Sequence, residues 1–374
     1  MTKNGRVRVL HMGLDDRKGG IEQFLYNMSS NIDWDRFQFD FLCYGAHPAF
    51  GEELCGMGAE LVSLPSRKNL LAYTSALNGV LSRGYDVFHV HKNSAMDFLP
   101  AIVAKRYSTK LVVHAHNTEA NVGGNRRALM SVGRNVFRAN ADLRLACSVA
   151  AGAWVFGEET SFELFPNAIK LSDYAFDPAA RAELRTSLGL ESGAFVVGIV
   201  GRLVKQKNYP FMLRTFALLR QRVPSAVLIV VGEGPLVSEI ENLAGELGIA
   251  DGLRLLGRRN DVSSLYSAMD CLCVPSLWEG FSFVTLEAQA SGLPCYVSSA
   301  VPPEAQVTGL VRQLDLVEGL WAGELADRAG MHMPRVALDG ELLKGMQTFD
   351  VSAAGERLMG IYEGLVVEEL GVGR

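Results

Sequence analysis

Short apolar runs recur along the chain, separated by segments with the period of a helix. In the first half the pattern predicts strands at Val7–Gly13, Phe37–Cys43, Glu60–Leu64, Val87–His91, Lys110–His116 and Leu143–Ser148. A second series is predicted at Phe195–Gly201, Ala226–Gly232, Leu253–Gly257, Cys271–Pro275 and Leu293–Val297. Apolar residues between the runs repeat at helical spacing, as in Tyr209–Arg222 and Val237–Leu247. Buried strands that alternate with helices indicate βαβ units and parallel sheets.

The two series predict an α/β protein with two Rossmann-like, doubly wound domains. We expect the first at residues 1–170 and the second at 188–345, joined by a polar bridge near Pro166–Ser187. Residues 346–374 contain a helical pattern at Val351–Glu369, which is expected to return to the first domain. Because ligands of doubly wound sheets bind outside the carboxyl ends of the strands, a cleft between the two domains is the expected site.

Composition and charge exclude several classes of protein. The 374 residues carry a net charge of −5, which argues against a general nucleic-acid-binding protein. No signal peptide or membrane-spanning run is recognisable, and the six cysteines are scattered without a Cys-x-x-Cys pair. We therefore expect reduced cysteines and a cytoplasmic protein.

The stretch from Pro275 to Pro294 carries the clearest chemistry. It places Glu279 and Glu287 on either side of a Gly280-Phe281-Ser282 turn and a helix start at Phe283. Such a turn presents backbone N–H groups to an anion, while the carboxylates accept hydrogen bonds from hydroxyls. A nucleotide sugar, which has both phosphates and hydroxyls, fits this description.

A basic loop follows the first strand of the second series, with Arg202 and Lys207 between Gly201 and Asn208. Arginine and lysine at the mouth of a parallel sheet suit phosphates. A basic loop by itself is more often a solvated surface. Its place on the same sheet as the two glutamates favours a binding function.

In the first domain, Gly19 and Gly20 lie between the first strand and its helix, without the spacing of a dinucleotide fingerprint. Two histidine pairs, His89 with His91 and His114 with His116, each share one face of a strand end. One interpretation is that His116 faces the cleft near the reacting oxygens. The alternatives are that these histidines are ordinary polar residues at strand ends, or that they form a zinc site. Asp33-Trp34-Asp35 precedes a strand and is interpreted as a turn, so no metal requirement is predicted.

These residues together resemble glycosyltransferase family 4, the retaining enzymes of GT-B fold, over nearly the whole chain. The matching motifs are Gly19-Gly20-Ile-Glu22, His114-Ala-His116-Asn117, Pro166-Asn167-Ala-Ile169, Gly201-Arg202…Lys207-Asn208, Gly232-Glu-Gly234-Pro235 and Glu279…Glu287. Further details, such as Ala146-Cys-Ser148 and Glu287-Ala-Gln-Ala-Ser-Gly-Leu-Pro294, resemble the branch that serves capsule and exopolysaccharide synthesis.

The resemblance implies how a nucleotide diphosphate sugar, expected to be UDP-linked, is bound. Arg202 and Lys207 would hold the diphosphate, Gly19 and Gly20 would approach it from the first domain, and Glu287 would accept from the ribose. The loop that contains Arg258 lies where the family holds the base.

The donor sugar would be held by Glu279 and by the amides of Gly280, Phe281, Ser282 and Phe283. Ser282 and Phe283 depart from the glycine-containing turn that is usual in the family, so donor identity stays open.

The implied reaction is a hexosyltransferase reaction with retained anomeric configuration. The groups that would act on the reacting atoms are His116, Glu279, Arg202 and Lys207. The two cations would stabilise the departing diphosphate, so neither a metal nor another cofactor is expected. A same-face attack assisted by the leaving phosphate is what the family suggests.

Residues 125–144 bear on the acceptor, because five arginines there interleave with apolar residues. A basic amphipathic helix is typical of a membrane surface, and a solvated helix packed by its apolar face is the alternative. We hypothesise a lipid-linked glycan acceptor and peripheral contact with the inner face of the membrane.

Two other functions are compatible with the sequence. A GT-B-like nucleotide-sugar epimerase would change its substrate without an acceptor. A non-catalytic partner of another transferase would bind a nucleotide sugar without turning it over.

Overall fold

The computed structural model describes residues 5–119, 123–331, 335, 337–338 and 340–369, without the side chains of 341, 368 and 369. The chain forms two compact units. The N-terminal unit contains residues 1–169 and 348–374, and the C-terminal unit contains residues 170–347. Residues 370–374 of the predicted C-terminal extension lie outside the described residues.

The N-terminal unit alternates strands and helices along the chain. Its elements are β1 (Val7–Leu14), α1 (Gly20–Ser29), β2 (Phe37–Cys43), α2 (Gly51–Gly56), β3 (Leu61–Ser63), α3 (Leu70–Leu81), β4 (Val87–Lys92), α4 (Leu99–Ala104), β5 (Lys110–Ala115), α5 (Gly124–Asn140), β6 (Leu143–Ala146), α6 (Val149–Phe156) and β7 (Glu163–Leu164). The strands form one parallel sheet in the order β3-β2-β1-β4-β5-β6-β7.

Helix α1 shows how the apolar pattern builds this unit. Ile21, Phe24, Leu25 and Met28 are buried and recur at the spacing of one helical face. Against that face β1 is buried along its last six residues. The hydrophobic effect therefore fixes the helix on the sheet and fixes where β1 ends.

The last helix, α14 (Val351–Glu369), belongs to the N-terminal unit. It packs on α1 and β1, with Leu358 and Tyr362 fully buried. The backbone N–H of Ile169 donates to the carbonyl of Phe349 at 2.9 Å, which ties the two ends of this unit together.

The C-terminal unit repeats the same architecture. Its elements are α7 (Pro178–Ser187), β8 (Val196–Val200), α8 (Tyr209–Arg222), β9 (Val227–Val231), α9 (Val237–Glu246), β10 (Leu253–Leu255), α10 (Val262–Ala268), β11 (Cys271–Val274), α11 (Phe283–Ala290), β12 (Cys295–Ser298), β13 (Val311–Leu314), α12 (Glu318–Gly330) and α13 (Gly340–Met346). The parallel sheet has the order β10-β9-β8-β11-β12-β13, and the two doubly wound sheets confirm the predicted fold class.

From residue 170 onward, the segment interpreted as a bridge folds as part of the C-terminal unit, whereas residues 166–169 belong to the N-terminal unit. Asp177 caps α7 by accepting from the backbone of Ala179 at 2.8 Å. Arg181 and Arg185 of α7 form ion pairs with Asp270 at 2.6 and 3.3 Å. The helix is therefore anchored beside the start of β11, which directly follows Asp270.

Three local expectations differ from the structure. Strands β7 and β13 were not predicted, since β7 has two exposed residues and β13 is a partly exposed edge strand. Helix α5 ends at Asn140, so Arg144 of the predicted basic helix lies on β6 instead.

The cysteines are unpaired as predicted, and five of the six are buried. Cys55 is exposed. None of the helices in the described part of the chain has the length and apolar character needed to cross a bilayer.

Candidate active site

The strand order of the C-terminal unit defines where a ligand can enter. The chain moves outward in opposite directions from β8 and β11, which are neighbours in the sheet. The loops after these two strands diverge and leave a crevice at the carboxyl edge. Those loops are the ones that contain Arg202 and Lys207, and Glu279.

Two glycines after β9 let the loop after β8 pass close to the backbone. A Cβ atom on Gly232, which has a φ of +140°, would lie 2.0 Å from the carbonyl oxygen of Gly201. A Cβ on Gly234 would lie 2.5 to 2.8 Å from the backbone of Leu203. Only glycine fits at both positions, which is the physical reason for this motif.

Lys207 and Glu279 form the central ion pair of this crevice. The Lys207 ammonium lies 2.7 Å from Oε1 of Glu279, and the hydroxyl of Ser276 donates to the same oxygen at 2.7 Å. The amide side chain of Gln206 donates to the carbonyl of Trp278 at 2.7 Å. The two loops are therefore joined by side chains as well as by strand pairing.

Arg202 is exposed and its guanidinium has no hydrogen bond or ion pair within the described part of the chain. It thus offers an unpaired positive charge one residue beyond Gly201. Arg258 is also exposed and lies 3.8 Å from Glu233, in the loops after β10 and β9.

The turn at Gly280, Phe281 and Ser282 is buried and leads into α11 at Phe283. Ser282, the N-cap residue, makes no side-chain hydrogen bond to the helix backbone, and its hydroxyl pairs instead with that of Thr285 at 2.7 Å. The helix N-terminus therefore keeps its positive end directed at the turn.

Glu287 lies in the second turn of α11 and accepts two tyrosine hydroxyls. Tyr266 donates to Oε2 at 2.6 Å and Tyr174 donates to Oε1 at 3.2 Å. Burial raises the pKa of Glu287 above its ordinary value, although both hydroxyls and Lys207 act to lower it.

The two tyrosines were not predicted from the sequence. Tyr174 lies in a 3₁₀ turn within the segment interpreted as a bridge, and Tyr266 lies on α10. In the sequence, a single tyrosine in either segment looks the same as an ordinary core residue. No sequence signal therefore identified these two tyrosines as partners of Glu287.

In the N-terminal unit, Gly19 and Gly20 form the start of α1. Gly19 is the N-cap residue in extended conformation, and Glu22 lies beside it, with Oε2 2.8 Å from where a Cβ atom of Gly19 would be. Gly20 is exposed at the first helical position. Because Gly20 has no side chain, a ligand can approach its backbone closely.

His116 directly follows β5 and is 7% exposed. Its Nε2 lies 2.8 Å from Nδ1 of His91, whose Nε2 in turn lies 3.1 Å from Nδ1 of His11. Burial lowers the pKa of His116 and of His11 from 6.5 to about 3, so both rings are neutral near neutral pH. A chain of three imidazoles therefore holds the ring of His116 in place.

Three arginines of helix α5 make contacts within the N-terminal unit. Arg134 donates to the carbonyl of Trp154 at 2.9 Å, and Arg138 donates to the Thr160 hydroxyl at 3.2 Å. Arg126 pairs with Glu119 at 3.0 Å. Residues 124–129 form a continuous exposed stretch at the start of the helix.

Comparison with known proteins agrees with this geometry. Residues 18–171 match the family model described as Glycosyltransferase Family 4, and residues 180–312 match the model described as Glycosyl transferases group 1. The EpsF protein of Bacillus subtilis (strain 168), a provisionally assigned glycosyltransferase, is 32% identical over 347 residues, which are 89% of this chain and 90% of that protein.

A second relative is named UDP-Gal:alpha-D-GlcNAc-diphosphoundecaprenol alpha-1,3-galactosyltransferase, from Escherichia coli. It is 26% identical over 321 residues, covering 80% of this chain and 81% of that protein.

Solved structures share the fold. The Anabaena protein Alr3699/HepE, crystallised with UDP and glucose, has a TM-score of 0.77 at 20% identity and covers 96% of this chain and 100% of its own. WaaG, a glycosyltransferase involved in lipopolysaccharide biosynthesis, has a TM-score of 0.71 at 18% identity, with coverages of 95% and 100%. At these identities the likeness shows the fold alone.

The two family models and the relatives that are similar in sequence define a glycosyltransferase that uses a nucleotide sugar, and the two doubly wound units with their structural neighbours have the GT-B fold. The chain belongs to glycosyltransferase family 4, as the sequence motifs predicted.

Proposed function

We propose that the chain transfers a sugar from a UDP-sugar to a hydroxyl of a lipid-linked glycan, with retention of anomeric configuration, in surface polysaccharide synthesis. The Escherichia coli relative, whose name gives a UDP-linked donor and a diphosphoundecaprenol-linked acceptor, supports the donor and acceptor classes. The EpsF relative and the capsule-type motifs support the pathway.

The observation that carries the proposal is the Lys207–Glu279 pair at 2.7 Å, at the point where the strand order reverses. The reaction creates negative charge on the departing diphosphate. Lys207, the unpaired Arg202 and the N-terminus of α11 would stabilise that charge as it develops. Positive groups held in place before the reaction perform this role without a metal ion, so we propose metal-independent transfer.

The donor sugar would be held by Glu279 and by the backbone of the turn from Gly280 to Phe283. Glu279 is 6% exposed, and its Oε1 already accepts from Lys207 and Ser276. These partners fix the orientation of the carboxylate, which suits an acceptor of sugar hydroxyls.

The nucleoside would be held by Glu287 and, at the base, by the loop of Arg258. Each carboxylate oxygen can accept about two hydrogen bonds, so Glu287 retains capacity for ribose hydroxyls beside its two tyrosines. From the N-terminal unit, Gly19 and Gly20 are proposed to approach the diphosphate, and His116 the transferred sugar.

Alanine substitution of Lys207 or Glu287 tests the assignment. We expect either change to reduce donor turnover by about 10²-fold or more, since each removes a preorganised group. Lys205→Ala is the matched control, because Lys205 is an exposed lysine in the same 3₁₀ turn. Near-full activity in both Lys207→Ala and Glu287→Ala would refute the proposed site.

Product analysis tests the reaction itself. With a UDP-sugar and a lipid-linked acceptor, NMR of the product is expected to show the donor's anomeric configuration, and chelation with EDTA is expected not to lower the rate. An inverted product would contradict retention. Epimerised UDP-sugar formed without an acceptor would instead establish the epimerase alternative.

Peripheral membrane contact is proposed through the first half of α5. Leu129 and Val132 are 44% and 50% exposed, at i and i+3 on this helix, and the exposed Arg126 and Arg127 lie beside them. Apolar side chains flanked by arginines suit the interface of an anionic membrane.

A flotation assay with anionic liposomes tests this contact. The double variant Leu129→Ser and Val132→Ser is expected to float less than the unmodified protein. The control is Val317→Ser and Leu320→Ser, which removes two exposed apolar residues at the same spacing in the C-terminal unit. Equal recovery with and without liposomes would exclude the contact.

A further inference from the structure

Five histidines form a row across three adjacent strands of the N-terminal unit. We call His11, His89, His91, His114 and His116 the histidine row. In the parallel register His11 of β1 lies opposite His89 of β4, and His91 of β4 lies opposite His114 of β5. All five are buried, with exposures from 0% to 7%. The proposed transfer reaction uses only His116 of this set.

The hydrogen bonds of the row leave nitrogen lone pairs without partners. His114 Nε2 faces the carbonyl oxygen of Phe165 at 3.3 Å and therefore carries the proton of a neutral ring. Its Nδ1 is then a bare lone pair, and it is buried without a partner in the described structure. Nδ1 of His116 is likewise buried without a partner.

Three of these rings converge. One ring nitrogen from each of His91, His114 and His116 lies within 4.8 Å of the other two. We propose that these three side chains form a binding site for a divalent late transition-metal ion, with zinc as the representative. Neutral imidazoles are the preferred protein ligands of such ions, and three of them leave one coordination position open.

The surrounding contacts orient the rings as metal ligands require. A ligating histidine usually donates its other N–H to a carbonyl or another fixed acceptor. His114 donates in this way to Phe165, and His91 can donate from Nε2 to Nδ1 of His11 at 3.1 Å.

Binding brings the three ring nitrogens, which lie within 4.8 Å of one another, to the spacing of zinc ligands. Nδ1 of His91 and Nε2 of His116 lie 2.8 Å apart and share one proton. Tetrahedral zinc ligands are about 3.3 Å apart, so this pair opens by about 0.5 Å. The shared proton moves to Nδ1 of His116, which has no partner, and both facing lone pairs become available. No proton is released, and the metal replaces one hydrogen bond.

His116 and His91 are the most accessible members of the row, with exposures of 7% and 4%. A metal there holds the ring of His116. If His116 acts on the transferred sugar as proposed above, zinc slows transfer. The site itself does not depend on that role.

Metal content and spectroscopy of the full chain test the site. After removal of metals by chelation, the protein is expected to bind about one Zn²⁺ per chain and to show a raised Tm, because the ion binds the native state. Co²⁺ in the same site is expected to give the intense visible absorption of tetrahedral cobalt with nitrogen ligands. Crystals soaked in Zn²⁺ are expected to show an anomalous peak between the three histidines.

His114→Gln is the diagnostic variant, since glutamine keeps an N–H donor for Phe165 but removes the Nδ1 lone pair. We expect it to lose zinc binding, while His47→Gln, which changes an exposed histidine outside the row, binds as the unmodified protein does. No retained zinc, equal binding by His114→Gln, or an anomalous peak at Cys55 would overturn the proposal.

If His114→Gln does not fold, the anomalous peak in the unmodified protein decides the question. Zinc binding without any effect on transfer would support the site and count against the role proposed for His116.

Discussion

Mild acidification is expected to destabilise the N-terminal unit selectively, because the histidine row is buried in its neutral form. Burial lowers the pKa of His11 and His116 from 6.5 to about 3 and places the pKa values of the other three members well below 6.5. In the unfolded chain each ring takes up a proton below its ordinary pKa. The stability contributed by the neutral rings is therefore complete above pH 6.5 and is lost as the pH falls from 6.5 towards 3.

The size of the effect follows from the two pKa values. At about pH 5.5 the ratio of protonated to neutral rings for an unfolded histidine is about ten to one. Each ring that stays neutral in the folded state therefore lowers the free energy of unfolding by about 1.4 kcal/mol relative to neutral pH. His11 and His116 together account for about 3 kcal/mol, and the other three add in the same direction. A domain is stable by only about 5 to 15 kcal/mol, so this loss is a large fraction.

The buried cysteines provide a reporter for each unit. Cys43 and Cys147 lie in the N-terminal unit, and Cys271, Cys273 and Cys295 lie in the C-terminal unit. Urea unfolding followed by pulses of a pyridyl disulfide, with the modified sites mapped by mass spectrometry, measures both units in one sample. We expect the urea midpoint of the N-terminal unit to fall by about 1 M or more between neutral pH and about pH 5.5.

The C-terminal unit is the internal control, since it contains no member of the histidine row. His47→Gln should leave the pH dependence unchanged, because His47 is exposed. Equal shifts in the two units, or an N-terminal midpoint that does not move, would refute the argument from buried neutral histidines.

Three substitutions test the C-terminal unit. Glu287→Gln is expected to raise the urea midpoint of that unit at neutral pH, because the raised pKa of Glu287 means that its charged form destabilises the fold. The same change is expected to raise the donor KM. A lowered urea midpoint would contradict the raised pKa. Gly234→Ala is expected to displace Leu203 and reduce activity. Its control, Gly245→Ala, has open space at the Cβ and should be neutral or stabilise the unit by up to about 1 kcal/mol. Equal activity in these two variants would disprove the close approach of Gly234 to Leu203. Arg202→Gln is expected to weaken donor binding in a salt-dependent way. It should change the stability of the unit by less than about 0.5 kcal/mol, since the Arg202 side chain has no partner in the described structure. A larger loss of stability would show that Arg202 has a partner.

The sequence predicted the fold well where burial is continuous. Helix α8 and helix α14 begin and end at the predicted residues, because apolar residues at helical spacing define each of them. Strand β13 carries Arg312 and Gln313 at the exposed edge of its sheet, so its sequence lacks the apolar run of a central strand. Edge strands of this kind are specified by pairing with a neighbour, which a local pattern does not record.

The candidate site could be predicted in part for the same reason. Loops that follow buried strands are recognisable, so Arg202, Lys207 and Glu279 were assigned to one edge of a sheet. The partners of Glu287 come from segments far away along the chain, at Tyr174 and on α10. Their role depends on tertiary packing, and no local pattern encodes it.

The histidine row illustrates the same limit. Alternation along a strand placed His89 with His91, and His114 with His116, each pair on one face. The pairing of β1 with β4 brought His11 into the row, and α14 contributed the Tyr362 hydroxyl at 2.6 Å from His89. The two histidine pairs are thus joined into one cluster by contacts that exist only in the folded unit.

The position of α14 also sets an order for folding during synthesis. The sheet of the N-terminal unit is translated before residue 170, but the helix that covers its core follows the entire C-terminal unit. At about 5 to 20 residues per second, roughly 10 to 40 s separate Ile169 from Tyr362 on the ribosome. The C-terminal unit can complete its fold in that interval, while the earlier sheet waits with part of its apolar surface uncovered. The first half of the chain is therefore the half that most needs a chaperone until the last helix emerges.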